Sequence, residues 1–297
     1  MTVLQEDRPP PVPARPKPKA DLKWLRKLLL VLAVLGVLII SLAPVLWQLL
    51  TSVKVNEDIS AVPNIYFPTR YTLNHYTDLF TRRPFLRYIF NSAFVSIIST
   101  VACLALGTPA AYVLARLRPV GERVILAGVL IVTLFPGILL FLGLLEIVQA
   151  LHLGNNYLAL IIPYTAINLP LTILVLRSFF QQLPKDLEDA AKVDGYTTWG
   201  MLTKILLPMT VPAMVTTGIL AFIFAWNEFI FALTFITRED MKTIPVAAAQ
   251  LGGASVFEIP YGPIAAATVL GTLPLVLLVL FFQRKIVQGL TSGAVKG

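Results

Sequence analysis

Long stretches without a charged residue dominate this chain. No Asp, Glu, Lys or Arg occurs in residues 28–53, 88–115 or 124–145. A helix rises 1.5 Å per residue, so about 20 apolar residues cross a hydrocarbon core that is about 30 Å thick. Each of the three stretches is longer than that, and they predict three membrane-spanning helices.

Three further apolar stretches follow in the second half of the chain. The first of them comes after the polar turn 152–156, so its helix is predicted to begin near Tyr157. The next contains one acid, Glu228, and the last lies between Glu258 and Arg284. The sequence therefore predicts an all-α membrane protein with six transmembrane helices. The predicted spans are about 28–50, 89–115, 124–145, 157–179, 211–235 and 263–283.

The composition excludes a water-soluble domain. Hydrophobic residues make up 57% of the chain and charged residues only 13%, with a mean hydropathy of +0.78. Soluble domains have roughly 25% charged residues. The single cysteine, Cys103, excludes a disulfide-stapled secreted domain, and we interpret it as a small apolar helix residue.

The positive charges predict the orientation in the membrane. Most of the 24 Lys and Arg residues lie before residue 28, between the second and third spans, in 177–204, or after residue 282. Cytoplasmic loops carry such an excess, so both termini are predicted to be cytoplasmic. The net charge of +8 is then explained by the membrane topology and by contact with anionic lipid headgroups, and it does not indicate nucleic-acid binding.

The N-terminal segment 1–27 has six prolines among its first 20 residues and is interpreted as a disordered, basic tail. A cleaved signal peptide is the competing interpretation. Its apolar region should be about 7 to 15 residues long, and the apolar stretch here is much longer. The first span is therefore predicted to be retained.

The long polar segment 181–208 on the predicted cytoplasmic side is expected to form a helix-turn-helix. Pro184 suits a helix start and Asp186 suits the positive end of the helix dipole. Glu188 and Lys192 are expected to form an i,i+4 ion pair on this helix. Gly195 can adopt the left-handed conformation that ends a helix. Small residues beside acids favour a docking site for a basic surface of a partner protein. The alternative is an amphipathic loop that lies at the membrane interface.

The spacing within this segment resembles the EAA signature of permease subunits of binding-protein-dependent ABC importers. Asp189 stands where the signature has Glu, and the other matching positions are Ala190, Ala191, Gly195, Ile205, Leu207 and Pro208. The resemblance covers nearly the whole chain from about residue 28. Segments 222–229 and 289–297 are similar to the maltose- and trehalose-type, MalG-like permeases. It implies the type I ABC importer permease fold and transport of a di- or oligosaccharide.

The same resemblance implies a subunit that is not itself an enzyme. The sequence has no Gly-x-x-x-x-Gly-Lys-Ser/Thr loop, so ATP and Mg would be bound by two separate ABC ATPase subunits, and this chain needs no cofactor. The other implied partners are a second homologous permease in a heterodimer and an extracytoplasmic sugar-binding protein that meets the outer segments 51–87 and 237–262. The implied location is the bacterial inner membrane.

Two segments are expected to contact the ATPases. The helix 185–193 and its C-terminal turn would dock into a cleft through Glu188, Asp189, Ala190, Ala191, Asp194 and Gly195. The sequence leaves open whether Glu188 or Asp189 makes the main contact. By the same resemblance, the C-terminal residues Gly293, Ala294, Val295, Lys296 and Gly297 would reach between the ATPase subunits.

An acid inside an apolar span needs a partner or a cavity. A charge at the bilayer centre costs about 2 to 3 kcal/mol. Three placements of Glu228 would offset this cost: in the sugar path, in a structural hydrogen bond to a neighbouring helix, or snorkelled to the membrane interface. The predicted path residues are Glu228, Asn227, Trp226, Asn168 and Tyr164. Asn168, Tyr164 and Asn91 also suit helix packing.

The remaining chemistry-bearing residues have simpler interpretations. His75 and His152 lie far apart in predicted outer loops, so hydrogen-bonded or surface roles are favoured and no metal site is expected. Arg177 is expected to reach the lipid headgroups. Kinks within spans are expected at Pro109, Pro136, Pro163, Pro170 and Pro274. The rival functions are an ion-coupled secondary transporter, which predicts inverted repeats, and a membrane scaffold, which leaves the cytoplasmic motif without a role.

Overall fold

The computed structural model describes residues 23–252 and 259–294, with side chains described up to residue 283. Within these ranges all extended regular elements are helices, and one isolated antiparallel bridge joins Lys54 to Tyr71. The helices are α1 (Lys23–Ser52), α2 (Asn56–Ile59), α3 (Asn74–Thr81), α4 (Phe85–Tyr112), α5 (Glu122–Leu134), α6 (Leu140–Ala150), α7 (Leu158–Gln182), α8 (Asp186–Val193), α9 (Thr198–Met201), α10 (Leu207–Asn227), α11 (Ile230–Phe235), α12 (Ile244–Ala249) and α13 (Tyr261–Ala294). Short 3₁₀ turns at Gly137–Leu139 and Glu239–Met241 and π-helical turns at Val113–Leu117 and Leu202–Leu206 accompany them.

Five helices in the described part of the chain are long and apolar enough to cross a membrane. They are α1, α4 with its π-helical turn, α7, the continuous run from α9 to α10, and α13. The pair α5 and α6 passes the same test as a unit, although its two halves meet at 89°. The all-α architecture with six membrane helices is therefore confirmed, with one of the six sharply bent.

The third span, predicted for 124–145, is broken at Pro136, which is one of the positions where the sequence predicts a kink. Phe135 and Pro136 are extended, with ψ of 130° and 115°, and α5 ends before them. Proline has no N–H for the helix, and it disfavours the helical conformation of the residue before it. The helix therefore stops at Leu134, and a new one begins after the turn at Gly137–Leu139.

The fifth span also differs from the continuous helix predicted for 211–235. α10 ends at Asn227, and Glu228 is extended with ψ of 132°. The carboxylate of Glu228 then accepts backbone N–H bonds from Phe231 at 2.9 Å and Ala232 at 3.1 Å. These donors belong to the first turn of α11, where N–H groups have no partner within the helix. The acid thus ends one helix and caps the next.

Three predicted segments also begin or end at other residues in the structure. The fifth span begins at Thr198, because the π-helical turn joins α9 to α10 without a break. α13 is one helix as far as Ala294, so the first part of the predicted tail 289–297 is helical, and residues 295–297 lie outside the described range. α1 begins at Lys23, inside the predicted tail, of which residues 1–22 are not described.

α4, α7 and α10 pack against one another. Gly107 brings α4 close to α7, since a Cβ added there would lie 2.7 Å from Cγ2 of Thr172. Cys103 is fully buried on the same helix, with its Sγ 3.1 Å from the Thr172 hydroxyl. Small residues at helix contacts are typical of membrane bundles, because close packing replaces the hydrophobic effect there. The interpretation of Cys103 as a small buried residue is confirmed.

Candidate functional site

The predicted docking helix forms as α8, and its ends have local causes. Asp186, Glu188 and Asp189 lie in its first turn and Lys192 lies in its last, as the helix dipole favours. Gly195 has φ of +78°, the left-handed conformation that the sequence predicts.

Two backbone bonds then close the end of α8. The N–H of Tyr196 bonds to Ala191 O at 2.9 Å, and that of Gly195 bonds to Lys192 O at 3.1 Å. Together they form a Schellman motif, which turns the chain sharply toward α9.

Glu188 faces into this subunit. Its Oε1 lies 3.0 Å from Nε of Arg116, and the two side chains are only 13% and 6% exposed. Arg116 also donates from Nη2 to the carbonyl of Leu183, which precedes α8. Of the two acids, Asp189 is therefore the one whose exposure suits an outward contact. The carboxylate of Glu188 is enclosed by its own chain, and a contact between either acid and an ATPase stays a prediction.

Ala191 is also turned inward, at 1% exposure, in an apolar cluster with Leu176, Phe180 and Leu206. The outward side of the segment is made of other residues. Asp189 is 72% exposed and forms a long, exposed ion pair with Lys192 at 3.6 Å. The predicted pair of Glu188 with Lys192 is therefore wrong, because Glu188 pairs with Arg116 instead. The exposed residues of the segment include Lys192 as well as Asp189, Ala190, Val193, Asp194, Gly195 and Trp199. Ala191 thus sets how α8 sits on the bundle and is not part of the outward surface.

Arg177 takes part in a second ion pair near the same end of the bundle. Its Nη2 lies 2.7 Å from Oε1 of Glu122, at the start of α5, and its Nε donates to Leu114 O at 3.3 Å. Both charged side chains are about one-fifth exposed. The expected reach to lipid headgroups is therefore replaced by a link between α7, α5 and the π-helical turn after α4.

Glu228 occupies the break between α10 and α11 and is held by a neighbouring helix. The hydroxyl of Tyr164, on α7, donates to its Oε2 at 2.5 Å. Tyr164 is fully buried. This is the structural hydrogen bond to a neighbouring helix that the sequence offered as one alternative, and it does not keep Glu228 from also facing a cavity.

A cavity of about 550 Å³ lies beside this break. Glu228 and Asn168 line it, whereas Tyr164, Asn227 and Trp226 do not. The indole of Trp226 is buried and donates to Gly271 O on α13 at 3.0 Å. Of the five predicted path residues, the structure brings two together at a cavity, and Trp226 serves the packing of α10 on α13.

The segment after α11 is attached to α4 by polar groups. Asn91, fully buried, donates to the carbonyls of Asp240 at 3.0 Å and Lys242 at 2.9 Å. Tyr88 donates to Glu239, and hydrogen bonds from Lys242 and Tyr88 hold the pKa of the Glu239 carboxyl below its usual range. Sequence reasoning missed this attachment, because its partners lie about 150 residues apart.

The two histidines differ in setting. His75 is buried, its Nε2 lies 2.8 Å from Lys54 O, and it packs against Gly262, where a Cβ would meet the ring at 2.3 Å. His152 lies in the left-handed region, with φ of +52°, in the turn before α7. His75 thus has the hydrogen-bonded role that the sequence favoured.

The comparisons with known proteins agree with this architecture. A family model described as "Binding-protein-dependent transport system inner membrane component" matches residues 104–292. The chain is 41% identical over 267 residues to the trehalose transport system permease protein SugB of Mycobacterium tuberculosis, covering 89% of this chain and 97% of that protein. It is 40% identical over 260 residues to the sulfoquinovosyl glycerol transport system permease protein SmoH of Agrobacterium fabrum, covering 88% and 90%.

A solved structure shares the fold. It is a chain of a bacterial ABC transporter involved in the import of the acidic polysaccharide alginate, with a TM-score of 0.74, 21% identity, and coverage of 91% of this chain and 99% of that one. The resemblance to sugar-importer permeases and the type I importer fold are thus confirmed. The match over residues 104–292 and the curated relatives at about 40% identity place the chain in the family of multi-pass inner-membrane permease components of binding-protein-dependent ABC importers.

Proposed function

We propose that this chain is the permease subunit of an ATP-driven importer of a di- or oligosaccharide, and that it converts motion of the ATPase subunits into alternating access of the sugar path. Family membership supports the transport role, and relatives named for trehalose and sulfoquinovosyl glycerol transport support a sugar cargo. The chain is non-catalytic in this proposal. ATP and Mg are bound by the ATPase partners.

The observation that carries the proposal is the two-sided construction of residues 186–201, which we call the coupling segment. Its inner side is fixed to the bundle through Ala191 and Glu188. Its outer side presents the acid Asp189 beside apolar groups, since Val193 is 88% exposed and Trp199 is 67% exposed. Charge next to large exposed apolar groups is typical of a protein contact surface.

The inner attachments give the coupling segment the stiffness that force transmission needs. The ion pair with Arg116 joins α8 to the end of α4, and the run from α9 into α10 has no break. A displacement of α8 by a docked ATPase therefore acts on two membrane helices at once. Rigid, packed elements of this kind carry coupling between distant sites.

The rest of the assembly follows in the same proposal. With both termini in the cytoplasm, the coupling segment and the C-terminal residues 293–297 face the ATPases. The outer segments 53–84 and 237–252 face the sugar-binding protein. A second, homologous permease supplies the other wall of the sugar path in a heterodimer.

The test reverses the charge of the outward acid. Asp189→Lys should leave the subunit folded, because an ion pair as exposed as the one with Lys192 contributes only about 0.2 to 1 kcal/mol. We expect at least a roughly tenfold loss of co-purified ATPase and of ATP-dependent sugar uptake, which is about 1.4 kcal/mol of interface energy. The measurement is ATPase recovery with the tagged subunit, together with uptake into proteoliposomes.

The matched control is Asp78→Lys on the outer helix α3. Asp78 also forms an exposed helical ion pair, with Arg82 at 3.2 Å, but on the opposite side of the membrane in this proposal. Asp78→Lys should therefore leave the recovery of the ATPase unchanged. Full ATPase recovery and full uptake with Asp189→Lys would refute the proposed role of the coupling segment.

A further inference from the structure

Two membrane spans are interrupted beside the same cavity. One interruption is the extended pair Phe135 and Pro136 between α5 and the next turn, and the other is Glu228 after α10. Phe135 and Glu228 both line the cavity of about 550 Å³, together with Asn168 of α7. Non-helical backbone at membrane depth is tolerated where it lines a cavity or is buried in protein, and interrupted helices form the binding sites of many transporters.

The lining of this cavity is chemically selective. It has aromatic rings from Phe135, Phe224 and Phe231, and polar groups from Thr133, Asn168 and Glu228. Among the described residues that line it, Glu228 is charged and none is a lysine, arginine or histidine. A volume of this size, with mostly apolar walls and a few polar groups, is typical of a small-molecule site.

Glu228 retains capacity for one more hydrogen bond. An ionised carboxylate offers about four acceptor positions and no donor. Three are used here: Phe231 N–H on Oε1, and Ala232 N–H and the Tyr164 hydroxyl on Oε2. The remaining position can accept a sugar hydroxyl, but it has nothing to offer a sulfonate or a second carboxylate.

We propose that this cavity is a subsite for one uncharged pyranose ring in the sugar path, with the ring's C–H face against Phe224 or Phe135 and its hydroxyls on Glu228 and Asn168. The inference rests on the proposed function and narrows its cargo to neutral sugars. A negative sugar entering here meets a carboxylate without a nearby lysine or arginine among the lining residues. Like charges brought together in a desolvated site repel strongly.

The test measures directly whether a sugar occupies the cavity. Its result therefore does not depend on which sugars the sugar-binding protein selects for uptake. Thr133→Cys places a thiol in the lining, and the native Cys103 is fully buried, which keeps background alkylation low. The purified importer complex is trapped with an ATP analogue and treated with N-ethylmaleimide. Alkylation is followed with trehalose, maltose or the acidic disaccharide cellobiuronic acid present. A neutral disaccharide at ten times its Kd should slow alkylation about tenfold, and the acidic one should not slow it.

Two further variants separate a subsite from a merely structural role. Phe224→Leu should reduce protection by the neutral disaccharide, whereas Phe281→Leu, at an exposed α13 position outside the cavity, should not. Glu228→Gln keeps an acceptor for α11 and removes the charge, so cellobiuronic acid should then protect as well. Equal protection by neutral and acidic disaccharides in the wild type, or no protection by either neutral one, would overturn the inference. Neither result affects the Asp189→Lys test of the proposed function.

Discussion

Glu188→Gln should release the coupling segment from α4. The substitution keeps the length of the side chain and removes its charge. Arg116 would keep its bond to the Leu183 carbonyl but would lose its counter-ion in a site where it is only 6% exposed. A buried charge without its partner is strongly unfavourable, so α8 is expected to detach locally and expose both groups to water.

The magnitude follows from the distance and the burial. Two unit charges 3.0 Å apart attract by about 5 kcal/mol at an effective dielectric constant of 20. Removing one partner of a buried pair costs about 3 to 5 kcal/mol. The polar Gln side chain would keep a weaker dipolar attraction to Arg116 at the same distance, which favours the lower value. About 3 kcal/mol corresponds to a roughly hundredfold rise in the opening equilibrium of the coupling segment, since 1.4 kcal/mol is tenfold.

Amide hydrogen exchange of residues 183–196 in the purified complex measures this opening. The control is Asp189→Asn, the same neutralisation one residue later, where the exposed pair contributes at most about 1 kcal/mol and exchange should rise less than about fivefold. ATP hydrolysis in Glu188→Gln should continue with little sugar uptake. Exchange that is equal in the two variants and close to that of the wild type would refute the reasoning.

Three further outcomes are expected. Gly107→Val should lower the melting temperature of the complex, because its Cβ meets Thr172 at 2.7 Å and overpacking costs about 1 to 3 kcal/mol, and Thr172→Ala should restore part of the loss. Gly195→Ala should cost about 1 to 2 kcal/mol through its φ of +78° alone, since no atom beyond its two chain neighbours lies within 4 Å of the added Cβ, and faster amide exchange in α8 should report it. Glu239 has a lowered pKa in the folded state, so its contribution is present above the unfolded value of about 4.3 and is lost as the pH falls below it. Proteolysis of the segment 237–252 should stay constant from pH 7 to about pH 4.3 and accelerate below it, and Glu239→Gln should weaken that acceleration.

Sequence reasoning succeeds in this protein where the cause is local. The absence of charge over 28–53 and 88–115 is enough to predict membrane helices, because the solvent sets the length and polarity of a span. Gly195 ends α8 as expected, because its backbone conformation depends on the residue itself. The first helix and the turn predicted within 181–208 follow from similarly local signals, whereas the second helix does not end at Pro208 but continues into α10.

A kink was expected at Pro136 and at four other prolines alike, and residue type did not show which of them would break its span. The break at Glu228 was not predicted. Pro136 breaks its span, whereas Pro109, Pro163, Pro170 and Pro274 lie inside continuous helices. Proline therefore signals a possible kink, and its neighbours in space decide the outcome. The inward turn of Glu188 depends on Arg116, which lies 72 residues earlier at the end of another span. Nothing in the sequence distinguishes Arg116 from Arg177, which was expected to reach the lipid headgroups.

The central claim is that ATP turnover in partner subunits drives sugar through a path that this chain helps to form. The most direct measurement is uptake of labelled sugar by the reconstituted complex, with the sugar-binding protein outside and either ATP or a non-hydrolysable analogue inside, in the presence of ionophores that abolish ion gradients. The account predicts uptake with ATP and the binding protein, unaffected by the ionophores, and none with the analogue. Uptake that proceeds without ATP and stops with the ionophores would contradict it.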